Sequence, residues 1–547
     1  MRKFKTLLTI IVSFSVIFFL STPTVFAAKA NVLRIAFDAA DMGDLHPHFA
    51  NATQDRAVVL LIFSGVVRYK PGDITQFLPD VAERWEVSKD GLTWIFHLRK
   101  GVMVHPWNNN PGYELTSEDV VYSYTSAADP ARSSRAAEYV GMKFEAAGPY
   151  TFRVKLQKAV SAGLFLPKFT NYSAGFIVPK KPAEDLGEGF RRHPVGTGPF
   201  VFKEYVPKEK VVTVKNEKFY RGAPKLGGIE VYFMSDLSSR KFGLQSKELD
   251  VIEGPPSQPW VDEMRALPGV AVDLLGPGEQ GDLHLNMTMP PLNDIRVRRA
   301  IAYALSRDEV AAALGGAVGT PAYSPSQYPQ GGWMSKDELK QYGKKFGKDY
   351  LYQTDRIKAK KLLAEAGFPN GFSLELFQSE RAEYLTPMQN VQAQLREVGI
   401  QVNFKMVDHA TFHNRIRADT NAMVLYNAIR PTTDVKLAHF FNSKSIVKTG
   451  SAPITNFSHI GAVDADGDGK VDSIDELIQS ASDEINSKKQ NEIWKTAGLK
   501  LLDLCVEIPL FVRKTPLARN ENFKWGYKFD SFIVNAPTLD ELAYFEK

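Results

Sequence analysis

Apolar residues recur along this chain with two periods, one of two residues and one helical, and the two alternate. In TWIFHL, Trp94, Phe96 and Leu98 alternate with Thr93 and His97, the pattern of a half-buried strand. VLRIAF from Val32, TFRVKL from Thr151, VVTVKN from Val211 and IEVYFM from Ile229 predict further strands. Between them lie helices with legible ends. Thr116 followed by Asp119 forms a capping box ahead of VVYSYTSAAD, and Ser306 with Glu309 forms a second, with Gly315 to end the helix. From Asp355 the pattern becomes helix, glycine, strand. DRIKAKKLLAEAGF stops at Gly367 before FSLELF. TPMQNVQAQLREVG has Pro387 in its first turn and stops at Gly399 before IQVNFKMV. A last helix around Leu477 to Leu504 leads into VEIPLFVR. Strands alternating with helices predict an α/β fold with largely parallel sheets. A chain of 547 residues exceeds the roughly 250–300 at which one core stops growing, so at least two lobes are expected.

The first residues, MRKFKTLLTIIVSFSVIFFLSTPTVFAAKA, have the layout of a secretory signal peptide: a basic start, an apolar run from Leu7 to Leu20, and small residues around Ala27 and Ala28. The run is shorter than the roughly 20 residues a membrane-spanning helix needs, which favours cleavage over a permanent anchor. Loss of Arg2, Lys3 and Lys5 takes the formal charge from +5 to about +2, a balance that argues against nucleic acid or an anionic membrane as partner. The single cysteine, Cys505, lies far from the cleavage site, so the product is expected to be free rather than lipid-tethered, which favours a periplasm. One cysteine excludes an intrachain disulfide and a cysteine-based zinc cluster, and Leu504 and Val506 beside it mark a core position.

Catalytic signatures are missing. The chain has no H-E-x-x-H, no G-x-S-x-G and no Gly-Lys-Ser/Thr phosphate loop; in GTGPF, Pro199 follows the second glycine and no helix opens. The ten histidines read as scattered, without metal-ligand spacing. Paired carboxylates that form only in three dimensions stay open, so an exported hydrolase remains the competing class.

LPDVAERWEVSKDGLTWIFHLRKGVMVH followed by LTSEDVVYSY resembles a block of the family 5 extracellular solute-binding proteins, the peptide- and nickel-type receptors of ABC importers. HPVGTGPFVFKEY with VKNEKFYRGAPKLGGIEVYFMSD resembles a second block, MPPLNDIRVRRAIAYALSRDEV a third and AKKLLAEAGFPNGFSLEL a fourth, in family order from about residue 30 to about residue 516. The resemblance implies a bilobal, type II periplasmic-binding-protein-like fold with an extra domain and a hinge. It divides the chain into a signal peptide at 1–28, first-lobe segments at 29–72, 195–290 and 517–547, an extra domain at 73–194, and a second lobe at 291–516. It further implies a monomeric receptor, not an enzyme, that captures a peptide or small solute of similar size and hands it to importer membrane subunits. A sensor as partner stays open. Gly196, Gly198 and Pro199 suit a tight crossover between lobes, and Asn293 reads as the cap of a helix carrying Arg296 and Arg299 on its solvated side.

Peptide receptors of this family place an aspartate against the peptide amine, in a segment matching AMVLYNAIRPTTDVKLAHFFNS. Counted back from HFFNS, that position falls near Arg430, with Asp434 four residues on. A guanidinium there disfavours an amine anchor and suits a carboxylate or another anion. The alternative is that Arg430 faces water and Asp434 meets the ligand. Tyr426 and Asn427 on the same segment, Asn286 in LHLNMTMPP and His46 in GDLHPHFA are further ligand candidates; a metal-chelate cargo would draw on His46 or His439.

VDADGDGKVDSIDE has calcium-loop spacing. Counted from Asp464, Asp466 and Asp468 stand at the third and fifth positions, Gly469 at the sixth, Asp472 at the ninth and Asp475 at the twelfth. The carbonyl of Lys470 supplies a further oxygen, and Val471 is expected to point into the protein. Only one helix follows, so Ca2+ is expected as a structural brace on an inserted turn rather than as a switch; a solvated acidic hairpin is the alternative.

Overall fold

The structure, a computed structural model, describes residues 31–546 except 51, 171–172, 431, 449–454 and 532–535; the segment read as a signal peptide lies outside the described residues. Two sheets organise the chain. The first has seven strands in the order Val270–Leu275, Thr515–Asn520, Val251–Glu253, Val32–Phe37, Gly228–Phe233, Lys210–Lys215 and Phe200–Val206. The second has four: Gly319–Pro321, Glu507–Arg513, Gln280–Leu285 and Met423–Ala428. A third, Ala82–Val87, Thr93–Leu98, Thr151–Leu156 and Met142–Ala146, forms the extra domain.

The expectation of largely parallel sheets is corrected. In the first sheet only Val32–Phe37 pairs in parallel, with Gly228–Phe233 and Val251–Glu253, and its other pairs are antiparallel. The second and third sheets are antiparallel throughout. Alternation with helices gives parallel strands only when successive strands join one sheet. Here Val270–Leu275 and Gln280–Leu285, successive in the chain, belong to different sheets, as do Glu507–Arg513 and Thr515–Asn520. The parallel unit the sequence did predict is Phe372–Ser379 and Ile400–Val407, joined by the helix Ala382–Glu397.

The same two crossovers are the hinge, and they move two boundaries. Gln280–Leu285, assigned by sequence to the first lobe, is a central strand of the second. Thr515–Asn520 already belongs to the first sheet, so that crossing falls at Lys514. The boundary at 72/73 also divides a hairpin, since Val67–Lys70 pairs with Asp73–Pro79. The crossing segments run side by side: Gly278 N–H donates to the Arg513 carbonyl at 3.1 Å and Arg513 N–H to the Glu279 carbonyl at 2.8 Å, with the two side chains ion-paired.

Packing separates two bodies. The extra domain shares one continuous core with the first lobe, where Trp94, Phe96, Tyr124 and Phe152 gather around Phe165 and Phe169; the Trp94 and Phe165 rings stack at 4.3 Å. The second lobe has its own core, which receives Leu164 from the extra domain. Gly196 and Gly198 lie where the extra domain returns to the first sheet, not between the lobes. A Cβ on Gly196 would meet the Ile62 carbonyl oxygen at 2.1 Å, so only glycine fits. The helix Ile295–Ala304 is capped by Asp294, whose carboxylate accepts from Arg296 N–H at 2.8 Å, rather than by Asn293.

Candidate ligand-binding site

The strand Met423–Ala428 ends at a turn that leads into the helix Thr433–Phe441, whose Leu437, Phe440 and Phe441 are buried. The turn is held by amides from a neighbouring loop. Gln327 accepts from Arg430 N–H at 3.0 Å and donates to the Ala428 carbonyl at 2.7 Å, and Gln330 donates to the Arg430 carbonyl. So positioned, the Arg430 guanidinium lies 5.1 Å from the centre of the Phe440 ring and donates from Nε to His439 Nδ1 at 3.2 Å. Its other side-chain bond goes to the Ile429 carbonyl, and among the described residues no carboxylate pairs with it. The helix behind is pinned by an ion pair with both side chains buried, Lys436 Nζ to Asp282 Oδ2 at 2.7 Å. Asp282 also accepts from Gln280 Nε2 at 2.7 Å.

A second cation faces this wall from the extra domain. Burial, then the charges of Arg430 and Arg135, push the His439 imidazole down to about 4, so it is neutral at pH 7 and accepts from Arg430. Arg135 also pairs with Glu138 at 3.8 Å. Beside the turn opens a cavity of about 610 Å³ between the two bodies. Tyr69, Phe77 and Pro167 form one side; Trp333, Thr433 and Trp494 form the other. Its walls touch directly elsewhere. Ser161 Oγ donates to Gln490 Oε1 at 2.8 Å, and Lys158 pairs with Asp483.

The other sequence candidates separate into two groups. Asp434, in the helix's first turn, has a buried Oδ1 with no hydrogen-bond partner among the described residues. Asn427 donates to the Glu383 carbonyl at 3.0 Å and keeps a buried Oδ1 without a partner among the described residues. Both therefore retain acceptor capacity on the segment that carries Arg430. Tyr426 is packing: its ring lies among Phe440, Phe457 and His413, and its hydroxyl accepts from Arg417 at 3.3 Å. Asn286 is a buried brace. Its amide donates to Asp419 at 2.7 Å and its oxygen accepts from Thr288 N–H and hydroxyl. His46 sits in a different cavity, with Arg132 and Arg191, and its Nδ1 accepts from His48 N–H at 3.2 Å. Among the described residues no contact joins it to His439, so the two do not form a common chelating site. Sequence reasoning missed Arg135 and the aromatic walls, which carry no motif. It also missed HATFH: His409 and His413 stand four residues apart on the helix His409–Arg417, which corrects the view that no histidines have ligand spacing.

The acidic loop is built on glycines. Gly467 and Gly469 have φ of +86° and +90°, and their N–H groups donate to the two oxygens of Asp464 at 2.7 and 2.8 Å, which holds that carboxyl below the usual range. Carboxylate oxygens of Asp464, Asp466 and Asp472 lie within 4.8 Å of one another. Asp468 accepts from Lys470 N–H at 2.9 Å, Asp472 pairs with Lys500 at 3.0 Å, and Asp475 is turned to Ser443 N–H at 3.0 Å. Val471 is 60% exposed, contrary to expectation. Asp472 exchanges backbone bonds with Val463 and Gly461, and Ala465 and Ile474 supply the buried apolar side chains instead. The buried Arg298 donates to the carbonyls of Ala465, Leu292, Asn293 and Leu504, tying the loop to the lobe.

Comparison with known proteins places this geometry. Residues 76–445 match the family described as bacterial extracellular solute-binding proteins, family 5 Middle. Heme-binding protein A of Haemophilus influenzae is 29% identical over 65% of this chain and 66% of its own. The dipeptide-binding protein of Escherichia coli is 27% identical over 69% and 72%. The solved binding protein MoaA of A. tumefaciens, in complex with mannopinic acid, is 34% identical, covers 94% of this chain and 100% of its own, and superposes with a TM-score of 0.75. With a family match through both lobes and a solved relative alike along nearly its whole length, the chain belongs to the family 5 bacterial extracellular solute-binding proteins.

Proposed function

We propose that this protein is the receptor of an ABC importer and that its lobes close on a small solute carrying an acidic group, which Arg430 holds. The observation that carries this reading is Arg430 itself. The guanidinium is held over Phe440 by His439 and the Ile429 carbonyl, stands on the turn whose Thr432 and Thr433 line the interlobe cavity, and has no carboxylate of its own among the described residues. A carboxylate desolvated by closure needs such a partner, and a planar guanidinium offers it two parallel hydrogen bonds. Arg135 adds positive potential from the opposite body. The MoaA relative was solved with an acid, mannopinic acid, which fits the same charge logic. Peptides remain within the class that such a cleft takes, with the terminal carboxylate rather than the amine as anchor.

Family 5 members are transport receptors rather than enzymes, so the hydrolase alternative is dropped; the solute leaves unchanged and the partners are importer membrane subunits. The protein is read as exported and not lipid-tethered, since its one cysteine, Cys505, is buried in the second lobe. The test is a thermal-shift and calorimetric screen of mannopinic acid, dipeptides and their amidated, carboxylate-free counterparts, on wild type and Arg430→Gln. Stabilisation by acids that vanishes in the variant supports the reading. Amidated ligands binding as well as acids, with the variant unaffected, overturn it.

A second reading is favoured by the convergence of Asp464, Asp466 and Asp472: the 464–475 loop holds Ca2+ as a structural brace. These three carboxylates are the ligands at hand. Asp468, the Lys470 carbonyl and Asp475, once released from Ser443, complete the oxygen set that calcium takes. The ion supplies charge neutralisation to a cluster of mutually repelling carboxylates and has no part in solute capture.

A further inference from the structure

We propose that His409 and His413 form a binding site for a late first-row divalent ion such as Zn2+ or Ni2+, separate from both the solute cleft and the acidic loop. The two residues stand at i and i+4 of the helix His409–Arg417, a spacing that puts both imidazoles on one face. Their Nε2 atoms lie 3.1 Å apart, with the rings at 78° to each other. An ion bound at about 2.0–2.1 Å by two imidazoles needs those nitrogens about 2.9 Å apart for a right-angle bite and about 3.3 Å for a tetrahedral one. The observed separation falls between and is also that of a hydrogen bond between the two nitrogens, so an ion takes the place of the shared proton with little change in spacing.

The surroundings accommodate the tautomer that this requires. Ser379 Oγ lies 2.9 Å from His409 Nδ1 and accepts from Arg381 N–H at 3.2 Å. A hydroxyl oxygen has lone pairs for both, so Ser379 can take the Nδ1–H of His409 in the tautomer that leaves the Nε2 lone pair for an ion. Tyr384 packs against both rings, with centroids 5.1 and 6.1 Å away, and Tyr426 meets His413 edge-on at 5.6 Å. The rings are therefore held rather than free to rotate. Both histidines are half-buried, which leaves a path to solvent.

Charge around the pair is mixed. Arg381 and Arg417 border it, as do Glu380, Glu383 and Asp408. Asp408 caps the helix, and Glu380 accepts from His409 N–H at 3.2 Å. Glu383, which pairs with Arg381 at 3.8 Å, is the carboxylate available to join two imidazoles, with water in the remaining positions. Two nitrogen donors select zinc, nickel or copper over calcium or magnesium. Neither histidine lines the interlobe cavity. This site does not depend on the identity of the transported solute. Through Tyr426 it abuts the strand that leads to Arg430.

The experiment is isothermal titration of ZnCl2 and of NiCl2 into tag-free, chelator-stripped protein, in calcium-containing buffer so that the acidic loop is not a competing sink. Wild type and His439→Ala are expected to take up one equivalent with the same affinity. His409→Ala and His413→Ala are expected to bind at least about tenfold more weakly. Wild-type uptake no greater than that of the two variants overturns the proposal, as does uptake that survives both substitutions. Should either variant fail to fold, imidazole nitrogen NMR of wild type decides: zinc-induced shifts confined to His409 and His413 support the site, and their absence overturns it.

Discussion

Ser161 on the extra domain donates a hydrogen bond of 2.8 Å to Gln490 on the second lobe, and both side chains are buried. Gln490 cannot turn away, because its amide also donates to the carbonyls of Ala481 at 2.7 Å and Glu484 at 3.1 Å. A bond across the cleft exists only while the two bodies are together. Ser161→Ala should therefore shift the equilibrium toward the open form by about 1 kcal/mol, the usual net value of one hydrogen bond, and weaken solute Kd about fivefold. The loss should appear in the dissociation rate, measured by stopped-flow fluorescence of the tryptophans at the cavity, Trp333 and Trp494. An unchanged dissociation rate would show that the contact plays no part in closure.

Arg430 offers a sharper test of charge. Its partners are amides, a main-chain carbonyl, an imidazole and an aromatic ring, so replacing the guanidinium by a neutral side chain leaves no buried carboxylate unpaired. Arg430→Gln should keep the thermal midpoint of the unliganded protein. It should cost an acidic solute about 2 kcal/mol or more, some thirtyfold in Kd, since a desolvated carboxylate is left unpaired. Arg430→Lys should recover only part of this, because a single ammonium cannot reproduce the bidentate geometry. Calorimetry of the three proteins with one acid separates these outcomes.

What the sequence disclosed depended on whether the signal was local. TWIFHL reads as a strand because its alternation is written into six adjacent residues, and it is one. Gln280–Leu285 is buried at every position, so it shows no alternation that would tell which sheet or lobe owns it. The Arg430 turn could be found by resemblance, whereas Tyr69 and Trp494 line one cavity only because the chain folds. Arg298 is the clearest case. In the helix it looks like its neighbours Arg296 and Arg299, yet it is fully buried and satisfied by main-chain carbonyls from three segments. Nothing local distinguishes it.

Glu507 predicts a pH dependence of stability. It lies buried in the second lobe, its oxygens lack hydrogen-bond partners among the described residues, and His284 Nδ1 is 3.7 Å away. Burial first, then the charge of Asp282, raise its carboxyl well above the ordinary range, partly offset by Lys436. A carboxyl raised in the folded state contributes stability that is full below its unfolded value, near 4.5, and is lost as pH rises toward the folded value. Glu507→Gln, the neutral isostere, avoids that loss. The variant should match wild type near pH 4.5 and melt progressively higher than it as pH rises to 8. Scanning calorimetry at three pH values would show this, and a difference that does not grow with pH would contradict it.

The acidic loop gives the last prediction, and its sign follows from repulsion. Asp464, Asp466 and Asp472 hold carboxylate oxygens within 4.8 Å of one another on a loop fastened to the second lobe by Arg298. An ion that neutralises them binds the folded chain and not the unfolded one, so it must raise the melting point by mass action. With the weak affinity common in exported modules, roughly 10⁻⁴–10⁻³ M, a calcium excess of ten to a hundredfold over Kd adds about 1.5–3 kcal/mol. Wild type should melt several degrees higher in calcium than in chelator, and Asp466→Ala should remove that difference. In chelator the variant should be no less stable than wild type, since it has shed a repelling charge. Solute Kd should be the same in both, because the loop and Arg430 share no contact among the described residues. A variant that alters solute selectivity while keeping its calcium-dependent melting would refute the structural role.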